Sequence, residues 1–140
     1  MVRLLLACAL ALGLAGGAHA LTPEQARAIA AGDSTDARIA ALNQAVQTAD
    51  ARTAAFVDAL ANDAVKLAGG QVLVVEGARA HAPVTGAAAA LPADAEDVIN
   101  NNLMRAALEA AQAALQLSSA EEPVRLAAAR ALLSEPDASR

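Results

Sequence analysis

Three consecutive asparagines, Asn100-Asn101-Asn102, form the most distinctive polar cluster in the chain. Their amides carry both donors and acceptors, the chemistry needed to recognise a small neutral polar solute. Asparagine also caps helices, and an amphipathic stretch follows at once, so the same residues suit a structural purpose. Just upstream, Asp94, Glu96 and Asp97 have the side chains for a cation site or an acid/base pair. Calcium loops place oxygen ligands around a glycine; here alanines separate the acids, which predicts a solvated loop and no metal. His81 has no second histidine at helical spacing and no serine in an elbow motif, and its turn-rich surroundings predict an exposed side chain. Gly69-Gly70 is not followed by the Gly-Lys-Ser/Thr of a phosphate loop and reads as a helix stop. No nucleophile–base pair, ligand constellation or cofactor fingerprint emerges, so the sequence predicts no catalytic residues, no cofactor and no enzyme.

Residues 1–20 read as an export signal. Arg3 supplies the positive start, Leu4 to Leu14 an apolar stretch too short to cross a bilayer, and Ala18-His19-Ala20 the small-x-small cleavage pattern. Cleavage before Leu21 would leave one domain-sized unit, with Cys8 and His19 removed. The mature chain would then contain no thiol, so packing alone must hold it. It would carry nine basic and fifteen acidic residues, a net charge near −6. Such a surface repels phosphate backbones and anionic lipid headgroups, and Phe56, the single aromatic residue, offers no stacking platform. Nucleic acid is excluded as a partner.

Alanine supplies most of the apolar content. It favours helix but buries little area per residue. The expected core is therefore short: Ile29, Ile39, Leu42, Val46, Phe56, Val57, Leu60, Leu67, Val72, Val74, Met104, Leu108, Leu115, Leu126 and Leu132.

Those residues sit on elements with clear punctuation. Thr22-Pro23-Glu24-Gln25 is a capping box with proline at the first helical position, opening a helix that stops at Gly32. Asp33 or Ser34 caps a second helix through Ile39, Leu42 and Val46. Asp50 caps a third, read through Phe56, Leu60 and Leu67 to Gly69-Gly70. The period then changes. Val72-Leu73-Val74-Val75, bounded by glycines, predicts a small β-hairpin or three-strand meander over about residues 71–91. Helix resumes near Asn102 with Met104, Leu108, Ala111 and Leu115 on one face. A last helix runs from about Glu121 to Leu133, its stripe formed by Val124, Ala127, Ala128, Ala131 and Leu132. Arg-x-Ala-Ala patterns at Arg38, Arg52 and Arg125 hint at repeats. The predicted fold is mainly α, with HEAT-like helical hairpins flanking the β insertion, in a single module over 21–135 and a loose tail or linker at 136–140.

Taken in order, several segments resemble one family: the extracytoplasmic N-terminal extension of the urea ABC transporter permease, of the branched-chain amino acid permease type. They are Leu21 to Arg27, Gly32-Asp33, Asp36 to Leu42, Arg52 to Phe56, Lys66 to Gly69, Val84-Thr85-Gly86, Asp94 to Arg105, and Val124-Arg125 with Ala127-Ala128. Leu73, Leu103 and Ser118 to Glu122 depart from the pattern. The resemblance implies a periplasmic module at the outer face of the inner membrane. Its implied partners are the partner permease, the solute-binding protein and, through a membrane domain absent from this chain, the ATPases. It implies urea as the solute that Asn100, Asn101 and Asn102 would meet. No transport residue carries over, because the translocation domain is not present, and the chain is expected to be either the front of a permease or a divergent stand-alone relative. The rival expectations are a stand-alone periplasmic helical-repeat adaptor, or a small periplasmic ligand-binding protein or hydrolase.

Overall fold

The computed structural model describes residues 21–134; the expected export signal at 1–20, residue 135 and the expected tail at 136–140 lie outside the described residues. Within them the chain forms five helices and a small antiparallel sheet. Helix α1 (Pro23–Ala31) opens with the expected capping box: the Thr22 hydroxyl accepts from the Gln25 N–H, and the Gln25 side chain accepts from the Thr22 N–H. Ser34 caps α2 (Thr35–Gln47), and Asp50 caps α3 (Ala51–Ala61). Each cap satisfies a backbone N–H that the helix itself leaves without a partner.

Helix α3 stops earlier than its apolar spacing predicts. Asp63 takes a left-handed backbone with φ of 55°. The Ala64 N–H then reaches back to the Ala59 carbonyl at 2.8 Å, and the Asp63 N–H to that of Leu60 at 3.2 Å. These two bonds form a Schellman ending, with aspartate where glycine is usual. The chain leaves as a strand, so Leu67 belongs to the sheet. Gly69-Gly70 is accordingly a hairpin turn, with φ of 55° and 81°. A two-residue turn whose twist matches the flanking strands needs positive φ at both positions, which glycine adopts without strain.

The sheet is larger than the predicted segment at 71–91. It comprises β1 (Val65–Ala68), β2 (Gln71–Glu76), β3 (Arg79–His81), β4 (Ala88–Ala89) and β5 (Glu96–Asp97), in the order β4-β3-β2-β1-β5. Val65 pairs with Val74 and Leu67 with Val72, which directs all four to the face beneath the helices. On the opposite face Lys66 pairs with Asp97 across β1 and β5, and their charged ends meet at 2.7 Å.

The core gathers Ile29 from α1, Leu42 from α2, and Phe56, Val57 and Leu60 from α3 against Val65 and Val74. Met104 and Leu108 of α4 (Asn102–Leu117) close it. Ile39, Val46, Leu67, Val72 and Leu115 pack at its margin. Helix α5 (Glu122–Ser134) rests on α4, and of its expected stripe only Ala128 is buried. Leu126 and Leu132, expected in the core, are about half exposed, at 47% and 50%. Nothing among the described residues covers them.

Phe56 is the largest side chain of the core and 1% exposed. Phe56→Ala is expected to cost about 3–5 kcal/mol, lost transfer energy plus a cavity. Equilibrium denaturation would show it as a lower midpoint with an unchanged slope.

Candidate functional site

The asparagine triplet divides into three roles. Asn100 is 6% exposed, and both ends of its amide are engaged: its Nδ2 donates to the Leu60 carbonyl at 3.0 Å, and its Oδ1 accepts from Arg38 Nη2 at 2.7 Å. Asn101 caps α4, accepting the Met104 N–H, while its Nδ2 donates to Thr35 Oγ1. Asn102 is the first residue of α4 and exposed. Asn101 is exposed as well, so among the described residues Asn102 differs in having no internal hydrogen bond to its amide.

Arg38 extends the network. Its Nε donates to the Ile29 carbonyl at 2.8 Å and its Nη1 to the Ile99 carbonyl at 2.9 Å. One guanidinium thus reaches the C-terminal part of α1 and the segment that enters α4. Burial lowers the Arg38 pKa, since removing the cation from water disfavours its charged form. Arginine still remains charged at any ordinary pH. The sequence marks Arg38 only as the start of an Arg-x-Ala-Ala pattern within the Asp36 to Leu42 segment; two of its three partners lie some sixty residues away.

The acidic run disperses. Asp94 stays exposed, while Glu96 and Asp97 become strand β5, with Asp97 paired to Lys66. Among the described residues no three His, Cys, Asp or Glu side chains gather into a group able to hold a metal.

Two open grooves flank the loop from Ala82 to Ala87, and the buried Pro83 lines both. The first, about 380 Å³, lies between α1 and the β2–β3 side of the sheet. Arg27, Glu24, Gln71 and Thr85 are its polar residues, over Ala26, Val72 and Val84. The second, about 370 Å³, opens between the start of α3 and the β2–β3 hairpin. It is lined by Arg52, Glu76 and His81 above Phe56, Val74 and Pro83.

His81 therefore differs from its expected place. It is the last residue of β3, level with Val74, and half-buried in this groove. Strand pairing with β2 overrides the turn signals around it, because residues level with each other share a face. In the sequence Arg52 stands out only through its Arg-x-Ala-Ala pattern. Its guanidinium lies against Gly86, where an added Cβ would sit 2.7 Å from Nη1. Gly86 also has φ of 71°, a backbone conformation that side chains disfavour. Valine-threonine-glycine in the sequence signals the turn but not the side chain that lies over it.

Asp50, two residues before Arg52, is occupied in capping. The Thr53 N–H, donating to its carboxylate at 2.9 Å, lowers the Asp50 pKa, and the Thr53 hydroxyl adds a second bond.

Removing Asn100 would take from the Leu60 carbonyl one of its donors, leaving it the Asp63 N–H, and would leave one arm of the half-buried Arg38 without its partner. Asn100→Ala is expected to cost about 2–3 kcal/mol, against about 0.5 kcal/mol or less for the exposed Asn102→Ala, both read from denaturant unfolding. Asp50 gives a pH test. A carboxylate whose folded pKa is depressed contributes stability that is complete above its unfolded pKa, about 3.9, and lost as pH falls through the folded value. The acid limb of stability below about pH 4 should therefore be shallower in Asp50→Asn than in the parent. The chain matches no protein-family model, no curated protein and no solved structure.

Proposed function

We propose that the chain is an extracytoplasmic docking module of a urea-type ABC importer, and that the uncovered side of α5 receives the importer's solute-binding protein. The observation that carries this reading is the exposure of Leu126, Leu132 and Leu133, the last at 87%, on a helix that buries only Ala128. Leu126 and Leu133 stand two turns apart on the side of α5 away from Ala128. Clustered apolar side chains left in water favour association, because burying them removes apolar surface from solvent. In this reading α4 and α5 form a HEAT-like hairpin whose open face is the contact surface.

The engagement of the Asn100 and Asn101 amides supports contact over direct urea recognition, since both carry internal bonds. The order of the family-like segments and the export signal support the importer context. In this role the module neither catalyses nor holds a cofactor, and it works at the outer face of the inner membrane.

Co-purification of the protein with the solute-binding protein of the same cells tests the reading. Complex formation is expected, and Leu126→Glu with Leu133→Glu should abolish it while changing stability little, because both positions are exposed. Failure of the parent protein to bind would leave the stand-alone adaptor as the better account. An immunoblot of fractionated native cells adds an independent measure: a band well above 13.9 kDa in the inner membrane is expected for the front of a permease.

A further inference from the structure

The groove between α3 and the β2–β3 hairpin has the chemistry of a ligand site distinct from the docking face. We propose that it binds a small monocarboxylate with an apolar body, anchored by Arg52. The Arg52 guanidinium forms no salt bridge among the described residues, where the charge pairs are Lys66–Asp97 and Arg105–Asp63. The side chain is exposed, and one side of it rests against backbone. It lies over Gly86, in a loop braced by the Gly86 N–H on the Ala82 carbonyl at 2.8 Å and the Ala82 N–H on the Ala87 carbonyl at 2.9 Å. Its fork of N–H donors is free to form the paired bonds that match a carboxylate.

The surroundings narrow the ligand further. Phe56, Val74 and Pro83, all buried, give an apolar floor that a bare inorganic anion would leave unused. His81 adds a ring nitrogen on the same side as Val74. Glu76 also lines the groove and disfavours added negative charge, so one carboxylate suits the site better than two; its register partner across the hairpin is Arg79. The nearby Asp50 carboxylate is held by Thr53 and does not compete for Arg52. Arg27 in the other groove also forms no salt bridge among the described residues, but Arg52 has an imidazole and an apolar floor beside it.

Titration of the ¹⁵N-labelled protein with sodium benzoate, benzyl alcohol and inorganic phosphate, followed by amide and side-chain NMR, tests the site. Benzoate should give saturable shifts at Ala55, Glu76, His81 and Gly86. Benzyl alcohol and phosphate should bind at least about tenfold more weakly, the former lacking charge and the latter an apolar body. Arg52→Gln should weaken benzoate binding by about tenfold or more, Arg52→Lys by less, because lysine keeps the charge and loses the fork. Arg130→Gln, on exposed α5, should leave it unchanged. Equal affinity for benzoate and benzyl alcohol would overturn the proposal. So would unchanged binding in Arg52→Gln, shifts centred on Arg27 in the other groove, or no saturable shift with benzoate. Arg52→Lys keeps the test open if the glutamine variant fails to fold. Since α5 takes no part in this groove, either outcome is independent of docking to the solute-binding protein.

Discussion

The fork of Arg38, from α2, holds two other parts of the chain in one place: α1 through the Ile29 carbonyl, and the segment entering α4 through the Ile99 carbonyl and the Asn100 amide. Asn100 passes the connection on to the Leu60 carbonyl of α3. Buried polar groups of this kind must be satisfied together, because each unpaired member would carry its full desolvation cost. No buried side-chain donor or acceptor among the described residues is left without a partner. The apolar core is built from a few large residues among many alanines, so it specifies position weakly. Hydrogen bonds to a single guanidinium fix what packing leaves loose.

From that point the two surfaces of interest follow. The lock aligns α4, whose inner face is Met104, Leu108 and Ala111, and α5 is then carried on α4 with little burial of its own. Its leucines remain in water as a result. At the other end of α3, the helix meets only part of the sheet, and the β3–β4 loop divides the remaining space into two grooves. A thin core thus leaves both an open helix face and open clefts.

Local signals in the sequence read well. Thr22 with Gln25, Ser34, Asp50 and the asparagines before α4 are contiguous with what they cap, and the structure uses each of them as a cap or beside one. The end of α3 was hidden because Asp63, which is not a glycine, takes the left-handed backbone, and that moved Val65 to Ala68 from helix to strand. The Arg38 network was hidden by distance along the chain. Periodicity showed which residues of α5 are apolar. Whether anything covers them depends on the space around the helix, on which the local pattern is silent. The groove at Arg52 was invisible for a similar reason, since it needs the φ of Gly86 and the register of β3 at once.

The β1–β2 turn at Gly69-Gly70 has a kinetic consequence. It joins strands that are neighbours in sequence, so this hairpin closes with little loop entropy and on a microsecond scale. The bonds from Arg38 to Ile99 and Asn100 span 61 and 62 residues and can close only after the sheet has carried the chain back. The polar lock therefore forms later in folding than the hairpin does.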